Sequence, residues 1–144
     1  VVGPCRPRLG LRHGVHVEIF AANRVVLLAA GLGTKPPLRR SEGRIVAASC
    51  YGSSVTLEPT GVVLVRPGAG LTLAAVFRSW GQPLSRTRLA SFAAGHGKDV
   101  EVFVGGRRWA GRPGSVSLRA HAEIVLEVGP HVPPHSRYTF PPGL

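Results

Sequence analysis

The side chains able to do chemistry are six histidines, two cysteines and seven carboxylates in a chain of 144 residues. His13 and His16 open an apolar stretch as His-Gly-Val-His. Alternate residues of a strand share a face, so a spacing of three does not set both imidazoles on one side of a regular strand. A copper or zinc site would need a bend at Gly14 and further donors, with His131 and His135 in the C-terminal segment as candidates. The plainer reading is a pair of exposed imidazoles, and neither a metal nor another cofactor is expected. His96 lies between two glycines, and His121, just before Glu123, reads as structural. Linear spacing gathers none of them into a ligand set.

Catalytic patterns are missing. There is no Gly-x-Ser-x-Gly elbow, no His-Glu-x-x-His pair and no glycine-rich phosphate loop. Ser53 and Ser54 have no base at a fixed spacing. Glu18 and Glu101 stand at matching places in two similar segments, which suits solvated strand faces better than a catalytic pair. No nucleophile, base and orienting group can be named together, so no catalytic residue is assigned.

Cys5 and Cys50 are the only cysteines, and no Cys-x-x-Cys occurs. An even count in a short chain that begins without Met fits one disulfide in an exported protein. The bond would pin the Pro- and Arg-rich arm of residues 1–12. The placement expected is therefore extracytoplasmic, secreted or formerly membrane-anchored. The apolar runs are all too short for a membrane-spanning helix.

The chain carries 18 Lys and Arg against 7 Asp and Glu, a net charge of +11. Residues 1–90 hold 12 basic and 3 acidic residues, a net of +9. Such a balance suits an acidic protein, an acidic polymer, an anionic lipid or nucleic acid, although GC-rich coding also favours Arg over Lys. The Arg clusters are Arg39, Arg40 and Arg44, then Arg86 and Arg88, then Arg107 and Arg108. Trp109 and Tyr51 are the aromatics expected to be exposed beside them. No RNP motif, zinc finger or helix-turn-helix pattern accompanies them, which makes nucleic acid the least favoured partner.

The elements that must carry these groups are mostly strands. Val15–Phe20 alternates apolar and polar residues, Ala22-Asn23 is a turn, and Val25–Ala29 returns as a hairpin. Residues 31–43 read as loop. Arg44–Ser49 and Gly61–Arg66 are further strands. Leu73, Val76, Phe77 and Trp80 share one helical face between Thr72 as N-cap and Gly81 as stop, and all four are assigned to the core. Val100–Trp109 repeats the first hairpin around Gly105-Gly106. Glu123–Val128 is the last strand, and residues 130–144 form a Pro-rich tail that Tyr138 and Phe140 can fold back. The prediction is a single α+β, mostly β domain: a β-grasp-like mixed sheet of two hairpins plus extra strands, with one short helix. A small β-sandwich is the rival.

The order of motifs resembles a family of exported or membrane-anchored bacterial and archaeal proteins. The resemblance runs nearly the whole chain. It rests on Cys5, on His16-Val-Glu-Ile-Phe20, on Cys50-Tyr51 and on Thr60-Gly-Val-Val63. Its most specific part is Leu71-Thr-Leu-Ala-Ala-Val-Phe-Arg-Ser-Trp80-Gly81, which resembles a T-L-x-x-F-F-x-x-W-G helix. Val100–Arg107, Ala120-His-Ala-Glu-Ile124 and Phe140-Pro-Pro-Gly-Leu144 complete it. The histidine motifs of the family, H-x-H and L-H-T-H-D, are lost. Gly14 stands at the first H-x-H position, and Val55, Leu57 and Leu64 stand at three later histidine positions. Aliphatic side chains cannot coordinate a transition metal. A kept scaffold with deleted histidines implies a non-catalytic binding or assembly domain that docks an acidic partner or envelope component, through Arg or an exposed strand edge.

Overall fold

Thirteen short strands and one α-helix follow one another along residues 1–144, all described by a computed structural model. Alternation sets the first strand, β1 (His13–Ala21), longer at both ends than its apolar run. Ala22 and Asn23, both at positive φ, turn it into β2 (Arg24–Val26). This return strand is shorter than expected because Leu28 leaves the sheet to enter the core, and the Ala29 carbonyl accepts the Thr56 hydroxyl. The predicted loop holds β3 (Thr34–Lys35) and β4 (Arg39–Ser41), followed by β5 (Arg44–Ala47), β6 (Cys50–Tyr51), β7 (Ser54–Val55) and β8 (Val62–Val65). After α1 (Leu73–Trp80) come β9 (Arg88–Leu89), β10 (Phe92–Ala93), β11 (Glu101–Val104), β12 (Arg107–Arg108) and β13 (Glu123–Val128). Gly105 and Gly106, at φ 60° and 80°, make the tight turn between β11 and β12.

Seven strands form one mixed sheet in the order β12-β11-β13-β1-β8-β7, with β2 beside the far half of β1. Only β1 and β13 run parallel, which a hairpin cannot achieve. The long connection between them carries α1 across one face. The result is a β-grasp-like α+β fold, mostly β. A helix rather than a second sheet covers that face, so the sandwich is excluded.

The helix needs that face to exist, since eight residues are too few to hold a helix unaided. Leu73, Val76 and Phe77 are buried against Val15, Val17, Ile19, Ile124 and Leu126. Trp80 is only half-buried, at the rim of this core, with its ring edge-on to Phe77 at 5.5 Å. Thr72 stands at the N-cap without a side-chain cap bond. The Leu73 N–H is satisfied by the Val116 carbonyl at 2.8 Å, so tertiary pairing replaces the expected cap. Gly81 ends the helix in the left-handed conformation, as read from sequence.

A second apolar cluster holds Ile45, Tyr51, Val55, Leu57 and Leu64. Tyr51 is buried rather than exposed, because Cys50 and Tyr51 lie between β3 and the N-terminal arm. Cys5 and Cys50 form the disulfide, with Cα atoms 5.3 Å apart. No helix is long and apolar enough to cross a membrane.

Candidate functional site

The sheet face opposite α1 is polar. Parity decides which side chains reach it: His16, Glu18 and Phe20 from β1, Glu123, Val125 and Glu127 from β13, Glu101 and Phe103 from β11. Strand register then sets them side by side, with His16 opposite Glu123, Phe20 opposite Glu127, and Glu101 opposite Glu127. Four of the seven carboxylates of the chain therefore share one face. Two of them, Glu123 and Glu127, are buried at 2% exposure each.

The Pro-rich tail lies along this face, antiparallel to β1. His131 meets Glu127 and Glu101, His135 meets Glu18, Tyr138 stacks on His16, and Phe140 covers Gly14. At its end His121 donates from Nε2 to the Leu144 carbonyl and stacks on Phe140. The tail has no regular secondary structure, and Tyr138 and Phe140 fold it back as expected.

Two clusters of donor atoms result. In the first, the His16 Nδ1 lies 2.9 Å from Glu123 and 3.6 Å from Glu18. The His16 Nε2 donates to the Thr60 carbonyl at 3.1 Å. Both ring nitrogens thus face acceptors, so the His16–Glu123 pair holds two protons between its members. His135 Nδ1 donates to both Glu18 oxygens at 2.9 and 3.0 Å. That hydrogen bond, then the Glu18 charge itself, raises the His135 pKa above 6.5. In the second cluster, His131 Nδ1 lies 3.0 Å from Glu127 and 3.6 Å from Glu101. Within each triad, His16–Glu18–Glu123 and Glu101–Glu127–His131, one ligand atom per residue lies within 4.8 Å of the others.

The four sequence candidates for a metal do not converge. His13 faces away from His16 and donates to the Leu118 carbonyl at 2.9 Å, because β1 stays regular through Gly14 and three residues reverse the face. His131 and His135 reach the sheet but each meets a different carboxylate. Sequence reasoning missed those carboxylate partners. A usable signal was present: in Glu-Ile-Val-Leu-Glu-Val the two acids fall on one face of a strand that is otherwise apolar on both. Glu18 and Glu101, read as solvated, are both paired and only partly exposed.

Gly14, Val55, Leu57 and Leu64 are surrounded by apolar material. Val55, Leu57 and Leu64 are buried together in the second cluster, and Leu144 packs against it. The Phe140 ring lies over Gly14. A cavity of about 350 Å³ sits between Leu57, Leu64 and the tail residues Tyr138, Pro141 and Leu144.

The seven Arg of the sequence clusters, Arg39, Arg40, Arg44, Arg86, Arg88, Arg107 and Arg108, are all exposed. Of the 18 Lys and Arg side chains only Arg44, with Glu58, and Arg108, with Glu101, reach a carboxylate. Trp109 is partly exposed, and its indole N–H is held by the Arg112 carbonyl. Two other Arg serve the fold. Arg66 donates to the Pro4, Tyr51 and Gly52 carbonyls and to the Ser53 hydroxyl, tying the arm to the body. Buried Arg12 donates to the Leu9 carbonyl, and its pKa falls to about 10 through desolvation, then through the charges of Arg66 and Arg6.

Comparison with family models, with curated proteins and with solved structures gives no match.

Proposed function

We propose that this chain is a non-catalytic, extracytoplasmic binding or assembly domain that docks an acidic protein or envelope polymer through its exposed arginines. The observation that carries this reading is charge segregation. Four of seven carboxylates are gathered on one sheet face and engaged there by histidines and the tail, whereas all but two of the Lys and Arg lack a carboxylate partner. Unpaired exposed guanidinium groups raise the local concentration of anionic partners and speed their encounter. Arg also binds carboxylate and phosphate groups in a two-pronged geometry that Lys cannot offer. The disulfide supports a setting outside the reducing cytoplasm.

The test is retention of envelope extract on immobilised protein, with an Arg39→Ser/Arg40→Ser/Arg44→Ser variant in parallel. The expected result is an acidic component retained by the wild type, released by moderate salt and lost from the variant. Identical profiles for both proteins would remove the reading.

A further inference from the structure

The second donor cluster has a feature the first lacks. Glu127 is buried at 2% exposure, and its Oε2 has no hydrogen-bond partner at all. Its other oxygen accepts the Val132 N–H at 3.1 Å and faces His131 Nδ1 at 3.0 Å. An unpartnered buried carboxylate oxygen keeps the full desolvation penalty of the group, with no hydrogen bond to offset it. The cost is compounded here, because Glu101 stands directly opposite Glu127 in the antiparallel register. Like charges opposite one another destabilise a strand pair. His131, half exposed in the tail, is a weak remedy. A cation between the two carboxylates would relieve both.

The surroundings are built for one. Glu127 and Glu101 line a polar cavity of about 440 Å³ together with Asp99, Lys98 and Arg108. The Glu101 Oε1 is engaged by Arg108 at 3.3 Å, which leaves Oε2 turned toward His131 at 3.6 Å. Phe103 lies beside the imidazole, with ring centroids 5.7 Å apart, and limits its motion. One imidazole nitrogen with carboxylate oxygens is a donor set for a divalent transition ion rather than for Ca²⁺ or Mg²⁺, which take oxygen alone.

We propose that Glu101, Glu127 and His131 form a binding site for a divalent transition cation of the Zn²⁺ type, with Asp99 lining the same cavity. The three protein donors leave a position for water or for an anionic group of a ligand. Because His131 belongs to the tail and the two carboxylates to the sheet, the bound ion fastens the start of the tail to the sheet. Of the clustered arginines only Arg108 lines this cavity, and Arg39, Arg40 and Arg44 do not, so either idea can fail alone.

Titration of the intact, disulfide-bonded protein with ZnCl₂, followed by calorimetry, tests it. The expected result is saturable binding of one equivalent. Loss of even an outer-sphere partner weakens metal sites roughly 10–100-fold, so Glu127→Gln and His131→Ala should each lose at least that much. His131 is exposed, so its variant keeps the test valid if Glu127→Gln folds poorly. Arg108→Ala removes a competing cation and should tighten binding. Glu18→Gln, in the other cluster, should change nothing. Absence of stoichiometric binding, or equal affinity in wild type and His131→Ala, overturns the proposal. So does a loss in Glu18→Gln as large as that in His131→Ala.

Discussion

His16 and Glu123 face each other across the parallel β1–β13 pair, 2.9 Å apart and both buried, with Tyr138 of the tail stacked on the imidazole at 3.6 Å. One contact joins the central strands to the last segment of the chain. It explains how a polar sheet face is tolerated: the imidazole and the carboxylate satisfy each other, and the tail covers the imidazole.

Removing one partner of a buried pair leaves the other uncompensated, a loss of about 3–5 kcal/mol, whereas replacing both with apolar groups is often neutral. His16→Ala should therefore destabilise strongly, and His16→Leu/Glu123→Leu should recover most of the loss. Urea unfolding of the oxidised protein measures both. Losses that simply add in the double variant would show that the pair is not coupled.

The disulfide closes a separation of 45 residues. In the chain-entropy model such a link contributes on the order of 4 kcal/mol. Cys5→Ser/Cys50→Ser should lower stability by up to that amount. Part is retained through Arg66, whose bonds to the Pro4 carbonyl and to residues 51–53 are not covalent but remain. Adding Arg66→Ala to that variant should free the arm, seen as rapid cleavage within residues 1–12. An arm equally protected with and without Arg66 would refute this role. Alkylation of the native protein should find no free thiol.

Local patterns made much of the fold legible. The helix bounds follow from one apolar face and a glycine stop, and the last strand has the bounds its β-branched run sets. Asn23 in the first hairpin turn and Gly105-Gly106 in the second are residue types that accept positive φ, whereas Ala22 is held there by the turn. The polar face was legible only in part. Parity places Glu123 and Glu127 on one side of β13, but nothing local says that Glu101 will stand opposite Glu127 or that His135 will reach Glu18 across 117 residues. Those contacts depend on strand order and on the path of a tail that has no periodicity. Tyr51 reads as an exposed aromatic for the same reason: what buries it is an arm joined through a disulfide, not its own strand.

The His135 clamp has a defined pH response. Its folded pKa is raised, chiefly by the hydrogen bond to Glu18, with Glu123 adding a smaller attraction and His16 also close to the carboxylates. A raised value means that its contribution is fully present below the unfolded value near 6.5 and is lost as pH rises through the folded value. The pair is exposed on the histidine side, so the effect on global stability is small. The imidazole resonance of His135 should titrate at higher pH in the wild type than in Glu18→Gln. Equal midpoints would show that the contact does not persist in solution.

Gly14 controls how closely the end of the tail can approach. A Cβ there would lie 2.7 Å from the Phe140 ring and 3.3 Å from Leu144 Cβ, yet Gly14 has ordinary strand geometry, so Ala adds no backbone strain. Gly14→Ala should displace the Phe140 ring and leave the sheet core intact. Phe140 is only half-buried, so the loss should stay below the ~1.5–3 kcal/mol of a fully buried apolar side chain. Limited proteolysis should cut residues 137–144 faster in the variant, with little change in the thermal transition of the whole chain. Phe140→Ala should act through the same contact, so combining it with Gly14→Ala should add almost nothing. Full additivity, or an unchanged cleavage rate in Gly14→Ala, would mean that the tail end is not held by this contact.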